Sequence, residues 1–582
     1  MKKHILVLQV LVIALSFCFT LLNLSFYADI SALAFLPSLI FSLLLAYLGL
    51  VLFSQRKSLP LSVIRKLYEY TPFVLLLTFI LRRAGNNDTS YALDLIAVLV
   101  WVAVTIFSNV FMYLSNPKRF YINNPDFTEP EIKLNKKGKK KISVIGEAIS
   151  WIDAFVQAAL IVTLVNIFVF QLYEIPSESM VPEFLVGDRV VVFKTASGPV
   201  FPLSDVGIPD LRNYKRGDIV VFRNPHYDNS RKAELQSFLS QLVFMFSFTT
   251  VNLNVDENGD LKADPLVKRV CGLPGEQIYL LDGNLYARTK EENAFRVVED
   301  DSYWAAWNLH ELPSDIKPKI QRMPLTNEVY KTLLDIEAER RSYDLEDAAQ
   351  QAEAFSKRFL ALKEQITGKK TDLDASFRQF LTSPEMHEYF LFTQYANITK
   401  KLLTKDEGGA WFHAFLTSWT DVDLSRLDGY EEAMFKLNIM AKLIFADLII
   451  RSTELIVHDS SLGIASYDDV FIGLLQKAEQ LHTYMILNDS RNMPVFPPTI
   501  GDKANFLSND AYFLMGDNRF NSLDMRHSYE TYAKPLTEHD PFSMYYYSNM
   551  EQREVSKKRI LGTTSFRFWP LPRVGIPGNH YK

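Results

Sequence analysis

The chain has 582 residues, enough for several domains, and a net charge of −5, which gives no basis for nucleic-acid binding. Its two cysteines are Cys18, inside the first apolar segment, and Cys271, far downstream, so no disulfide is expected and Cys271 reads as a small buried hydrophobe. No HExxH, CxxC or P-loop pattern occurs, so metal and nucleotide chemistry have no support in the sequence and no cofactor is called for.

Four segments, roughly 5–27, 31–53, 92–114 and 152–172, have the length and apolarity of membrane spans, which need about 20 residues. A fifth, roughly 67–82, is short and ends in Arg82 and Arg83. The first segment lacks a convincing small-residue cleavage site and is followed quickly by another span, so it reads as retained. Charge sets the orientation. The stretch 116–150 carries Lys118, Arg119, Lys133, Lys136, Lys137, Lys139, Lys140 and Lys141, which places it in the cytoplasm, as Lys2 and Lys3 place the N-terminus. Two cytoplasmic points need an even number of spans between them. Segment 67–82 must then cross, giving five spans, with Arg82 and Arg83 on the unfavoured side. The last span runs outward and delivers the chain beyond residue 172 to the outer surface. The spans before the last serve as simple anchors or as a docking site for a partner.

Beyond the spans the pattern changes to strands. DRVVVFK and GDIVVFR are β-branched runs bounded by Gly-Asp turns, and EQIYLLDGNLYAR is a hairpin turning at Asp282-Gly283. TTSFRFWP, Thr563 to Pro570, closes the set. Two insertions interrupt it. Residues 228–264 contain SFLSQLVFMFSFTTV, either a surface element dipping into the bilayer or a piece of core. Residues of about 290–508 have helix formers with apolar positions spaced by three and four, the mark of an inserted helical domain. A smaller polar, Tyr-rich stretch, about 529–558, reads as a loop.

Two short blocks carry the chemistry. EIPSESMVPEFLVGDRVVVFK, Glu174 to Lys194, offers the Ser179 hydroxyl in a Pro-flanked turn after a span, and LVKRVCGLPGE, Leu266 to Glu276, offers the Lys268 amine among Leu266, Val267 and Val270. A hydroxyl nucleophile needs a neighbouring base, and a Lys serves once burial depresses its pKa. Bringing an ordinary Lys pKa of about 10.4 down by about 3 costs the ammonium roughly 4 kcal/mol, which burial can supply. A Ser/Lys protease at a membrane surface is the leading reading.

With YFLMGDNRFNSLDMR, Tyr512 to Arg526, and GDIVVF, Gly217 to Phe222, these blocks stand in the order S-x-S-M-x-P, G-D-I-V-V-F, K-R-V-x-G-L-P-G, M-G-D-N-R-x-N-S-x-D-x-R. In this the chain resembles the type I signal peptidases, bacterial membrane Ser/Lys endopeptidases that remove signal peptides, over well under a third of its length. The resemblance implies Ser179 as nucleophile, Lys268 as general base and Ser177 as an oxyanion-hole hydroxyl beside the Ser179 N–H. It also implies Ser522 as the serine that holds the Lys amine, and Asp524 with Arg526 as a supporting salt bridge. Small apolar pockets involving Ile175, Met180, Phe184, Leu266 and Val267 would accept small residues at −1 and −3. Asp517, Asn518 and Arg519 shape a turn, and Arg269 is structural. The chain departs from the family in having five spans, in Glu178 where a small residue is common, and in the bulk of Phe184; the last two would narrow substrate choice.

The expected fold is a multi-span α-helical membrane anchor followed by a mainly antiparallel β catalytic domain with a large inserted α-helical domain. In residues, 1–115 are four transmembrane helices, 116–151 a basic cytoplasmic loop and 152–172 the fifth helix. Residues 173–289 with 509–582 form the β-rich peptidase domain, and 290–508 the inserted helical domain. Expected partners are preprotein signal peptides, membrane lipids and the protein-export translocon, with no nucleic acid. The expected site is the bacterial inner membrane, catalytic side outward. The rival readings are a specialised maturation peptidase with few substrates and a non-catalytic membrane scaffold.

Overall fold

The computed structural model describes residues 2–25, 29–51, 61–85, 90–125, 144–227, 230–247, 262–367, 401–458, 468–501 and 503–578, with 251, 253–255, 259 and 399 as isolated positions. Of the basic stretch 116–150, residues 126–143 lie outside them.

Five long helices open the chain: α1 (Lys2–Leu22), α2 (Leu36–Leu44, continued by a π-helical stretch to Val51), α3 (Leu61–Arg83), α4 (Tyr91–Leu114) and α5 (Val144–Phe168). Four stretches, His4–Leu22, Ser31–Leu50, Tyr91–Leu114 and Glu147–Phe168, are long and apolar enough to cross a membrane. The short apolar segment 67–82 belongs to a helix that starts six residues earlier, at Leu61. Its lower half is tied laterally: Arg65 donates to Met112 O at 2.7 Å, and Lys66 pairs with Asp153 of α5 at 2.8 Å. Tyr68 stacks on Phe111 of α4.

The far end of α3 explains its two arginines. Arg82 donates to Leu22 O at the end of α1. Arg83 pairs with Asp94, in the first turn of α4, at 3.1 Å, with both side chains almost fully buried. The positive charges that looked misplaced by the loop rule are therefore structural. One caps a neighbouring helix end and the other neutralises a buried carboxylate.

Helix α5 stops at Phe168, earlier than the predicted limit of 172, because the next residues enter a sheet. Strand β1 (Phe170–Glu174) pairs antiparallel with β2 (Arg189–Phe193). With β3 (Ile219–Phe222), β4 (Leu266–Gly272), β9 (Ala511–Met515), β12 (Val555–Ser556) and β13 (Ile560–Trp569) they form a seven-stranded antiparallel sheet in the order β1-β2-β13-β3-β4-β9-β12. The closing strand expected at 563–570 is β13, wedged between β2 and β3.

A second sheet, β7-β6-β5-β8, contains the predicted hairpin: β5 (Glu276–Leu281) and β6 (Asn284–Thr289), flanked by β7 (Arg296–Val297) and β8 (Met493–Phe496). Asp282 and Gly283 both take positive φ, 52° and 78°, as the tight hairpin turn requires.

Between β7 and β8 lie five long helices: α7 (Asn327–Arg341), α8 (Leu345–Thr367), α9 (Gly408–Thr417), α10 (Gly429–His458) and α11 (Asp469–Arg491); α6 (Arg231–Phe246) occupies the earlier insertion. Phe359, Phe412, Leu437, Leu448 and Tyr484 are fully buried in their shared core. The Tyr-rich stretch read as a loop is instead a hairpin, β10 (His527–Pro535) with β11 (Tyr545–Met550). Tyr545 and Tyr547 face out while Tyr546, Ser548 and Met550 face in, a period of two hidden by the polarity of its members. Leu536, Met544 and Tyr546 join the helices' core, and Lys442 of α10 is buried against Asp540 at 2.5 Å.

Candidate active site

The chain leaves β1 at Glu174 and makes a closed turn before β2. Ile175 N donates to Asp188 O at 2.8 Å, Gly187 N returns to Ile175 O at 2.9 Å, and the Asp188 carboxylate accepts from Leu185 N at 2.9 Å. Inside this turn Ser177 is exposed, Glu178 buried and Ser179 half-buried. Three strands across the sheet from β2, β4 carries Lys268 on a face that leaves it 3% exposed.

The Lys268 ammonium donates to Ser179 Oγ at 2.8 Å and to Val267 O at 3.1 Å. Burial pushes the Lys268 amine down to about 8; the carboxylates of Asp524 and Asp517 work against that fall and Arg526 assists it. A base and a hydroxyl in contact, with the base titrating near neutrality, can generate an oxygen nucleophile without a metal. Ser177 Oγ lies 3.4 Å from Ser179 Oγ.

The loop after β9 frames the pair. Asn518 N donates to Ser179 O, and Asn518 Nδ2 donates to Glu178 O, both at 3.1 Å, so Asn518 holds the Ser179 turn directly. Gly516 is the close-approach point: a Cβ there would collide with Ser522 Oγ and come 2.5 Å from Ser179 O. Arg269 is buried and bidentate on Asp517, at 2.7 and 2.5 Å, joining β4 to this loop. Asp524 is fully buried, accepting from Arg526 Nε at 2.8 Å, Arg526 Nη2 at 3.0 Å and Gly516 N at 2.8 Å. Burial alone would raise the Asp524 carboxyl; the charge and hydrogen bonds of Arg526 more than offset it and hold the carboxyl well below the usual range. Ser522 sits beside the pair, yet its Oγ has no hydrogen-bond partner among the described residues and does not bond Lys268.

Ile175, Met180, Phe184 and Val267 gather in one apolar cluster with Val190, Val192, Ile219 and Val221. Leu266 does not join it. Neighbours on a strand face opposite sides, and Leu266 packs with Val270 and Phe222 in another cluster. Glu178 also differs from expectation. Its carboxylate turns away from the hydroxyls and accepts from Gln321 N at 2.5 Å and Arg322 N at 3.1 Å. The segment 305–323 so clasped packs Ala306, Leu309 and Ile316 against Val181 and Leu185 behind the turn. The sequence signal for this was the acidic residue itself, out of place among small neighbours. Cys271 is buried, and burial pushes its thiol up to about 12, away from the reactive thiolate.

Residues 148–321 match the family model described as "Signal peptidase, peptidase S26", a stretch that includes Ser179 and Lys268. The chain is 29% identical over 145 residues to Signal peptidase I of Haemophilus influenzae, covering 25% of this chain and 39% of that protein. It is 28% identical over 190 residues to Signal peptidase I of Pseudomonas aeruginosa, covering 31% and 61%, and 38% over 118 residues to that of Buchnera aphidicola subsp. Schizaphis graminum, covering 20% and 27%. Over the matched portion the chain is similar to the peptidase S26 signal peptidases. The chain spans 39% of the length of the Haemophilus relative and 32% of that of Buchnera aphidicola subsp. Baizongia pistaciae.

Proposed function

We propose that this protein is a type I signal peptidase, a membrane-bound serine endopeptidase that cuts signal peptides from exported preproteins after small residues at −1 and −3. The observation that carries this reading is the 2.8 Å contact between the Lys268 ammonium and Ser179 Oγ in a buried setting. Deprotonated Lys268 takes the Ser179 proton as Oγ attacks the scissile carbonyl carbon. The Ser177 hydroxyl and the Ser179 N–H donate to the oxyanion, and the ammonium then gives its proton to the leaving amine. An ester to Ser179 remains, and water activated by the same amine releases the mature protein's former signal peptide as an acid. Ser522 turns toward Lys268 to hold the amine during this cycle, and Asp524 with Arg526 keeps the loop in place. The apolar cluster of Ile175, Met180, Phe184 and Val267 lines the floor beneath the small side chains of the substrate.

The membrane reading is a five-span anchor with the β portion outside, inserted helices included. Three contacts support the alternation. Arg82 brings the ends of α1 and α3 together, Arg83–Asp94 joins the end of α3 to the start of α4, and Arg65 reaches the end of α4 from the start of α3. Trp569, Leu571 and Ile576 leave apolar side chains exposed at and beyond the end of β13, suited to contact with lipid. The test is cleavage of a preprotein with an Ala-x-Ala site in detergent–lipid micelles by wild type, Ser179→Ala and Lys268→Met. Cutting by wild type alone is the expected result. Inert wild type on several preproteins overturns the reading, and an active Lys268→Met overturns the base assignment.

A further inference from the structure

Residues 201–206 leave the β portion, touch the helical bundle and return. The Phe201 ring packs among Phe79 of α3, Trp101 of α4 and Phe168 at the end of α5, at centroid distances of 6.2, 5.5 and 4.8 Å. Ser204 Oγ donates to Asp94 Oδ2 at 2.8 Å, the same oxygen that pairs with Arg83. Leu203 takes φ of +62°, a costly conformation for a Leu, and its carbonyl accepts from Arg83 Nε at 2.9 Å and from Arg231 at the head of α6. Leu203 is 1% exposed and Ser204 7%. Buried charges persist only when paired and hydrogen-bonded, and a strained backbone only when its surroundings fix it. This is a built joint.

A second joint lies at the end of α5. Lys194 Nζ donates to Asn166 O at 2.9 Å and Gln171 Oε1 at 2.7 Å, and Thr195 Oγ1 donates to Phe168 O at 2.7 Å. One joint alone would let the β portion swing about α5. Two joints on different helices fix its height and tilt. From the second joint the β1–β2 ladder runs from Phe170–Phe193 to Glu174–Arg189, at the foot of the nucleophile turn. Its four steps make a stiff arm of roughly 14 Å.

We propose that the 201–206 loop, seated on α3 and α4, holds Ser179 at a fixed height above the helical bundle and so sets the length of signal-peptide apolar helix that the enzyme accepts. The extra spans are then the base of a ruler. The inference rests on the signal-peptidase reading above. A helix rises about 1.5 Å per residue, so lengthening the apolar segment by four residues moves the scissile bond by about 6 Å. Displacements of about 1 Å can cost about 10²-fold in rate.

The test uses the full chain in phosphatidylethanolamine–phosphatidylglycerol vesicles. Substrates are preproteins sharing one cleavage site with apolar segments of roughly 7–15 residues, and a water-soluble peptide carrying the cleavage site alone. The enzymes are wild type, Ser204→Ala, and the double variant Phe201→Ala/Ser204→Ala. Wild type should show one preferred length, with kcat/KM falling at least about tenfold four residues away on either side. The double variant should flatten that profile to within about threefold and Ser204→Ala should flatten it in part, while both cut the soluble peptide as wild type does. A double variant with the wild-type length profile overturns the ruler. So does loss of soluble-peptide cleavage in both variants, which would put the loop in the active site rather than its seat. A wild type that cuts neither substrate removes the peptidase reading itself, and the ruler with it.

Discussion

As the proposed base, Lys268 has to be neutral to act, and it sits where charge is penalised, so its removal should affect activity and stability in opposite directions. Burial lowers it from 10.5 to about 8. That fall corresponds to roughly 3 kcal/mol against the ammonium, and at pH 7 leaves about a tenth of the molecules with a free amine. The kcat/KM for a peptide without titrating side chains should therefore rise about tenfold per pH unit from pH 6, bend near pH 8 and level off above it. The folded pKa lies below that of the unfolded chain, so between about 8 and 10.5 the unfolded state binds the extra proton. Stability from this group rises with pH across that window, and below about 8 the full penalty applies. Lys268→Met, inactive, should accordingly be more stable than wild type by up to about 3 kcal/mol at pH 7, an advantage that fades toward pH 10.5. Apparent Tm in detergent, read at pH 7 and pH 10, checks the second part. An activity limb at 10 or above, or a Lys268→Met stability difference that ignores pH, refutes the buried-base argument.

Two further substitutions separate chemistry from scaffolding. Ser177 is exposed, with its hydroxyl 3.4 Å from Ser179 Oγ. Ser177→Ala should leave Tm unchanged and lower kcat about 10²–10³-fold with little effect on KM, as loss of one oxyanion donor does. Glu178→Ala strands the N–H groups of Gln321 and Arg322, at a cost of about 1–3 kcal/mol. It should speed proteolytic nicking within 305–325, and Glu178→Gln, which keeps an acceptor, should restore part of the protection.

What could be read from the residues was whatever a short local rule or a dense motif encodes. The Asp282-Gly283 hairpin needs only two adjacent residues able to take positive φ, and β2, β3 and β13 announce themselves by β-branched runs. Ser179 and Lys268, 89 residues apart, were expected to be neighbours because each block carries its own context. What escaped depends on partners far along the chain. The β10–β11 hairpin looked like a polar loop because the helices that bury Tyr546 and Ser548 against Asp489 are not in its own sequence. Arg83 looked like a charge on the wrong side because Asp94, Leu203 and Ser204 answer it only in three dimensions. Leu266 was grouped with Val267 by adjacency, whereas the strand sends them to opposite faces.

The place where the chain admits its helical insertion explains how some 195 residues between β7 and β8 leave the Ser179–Lys268 contact intact. The chain departs after β7 and returns at β8, and both strands flank the β5–β6 hairpin in one four-stranded sheet. The two ends of the insertion thus lie on the opposite edges of one sheet, three strand spacings or roughly 14 Å apart. The entropy of closing a loop grows only as the logarithm of its length, so a long excursion there costs little more than a short one. The sheet that carries Ser179 and Lys268 is a different one, and β9 enters it only after β8 is complete. Several ties lead back from the insertion to the site, among them two made by buried carboxylates. Glu178 clasps residues 321 and 322, and Arg519 pairs with Asp301 at 2.6 Å in a buried setting. Both act on the backs of the loops that hold Ser179. An insertion anchored this way can stiffen the nucleophile turn without entering the substrate's path, which is why the region's size and its distance from the chemistry are compatible with an intact site.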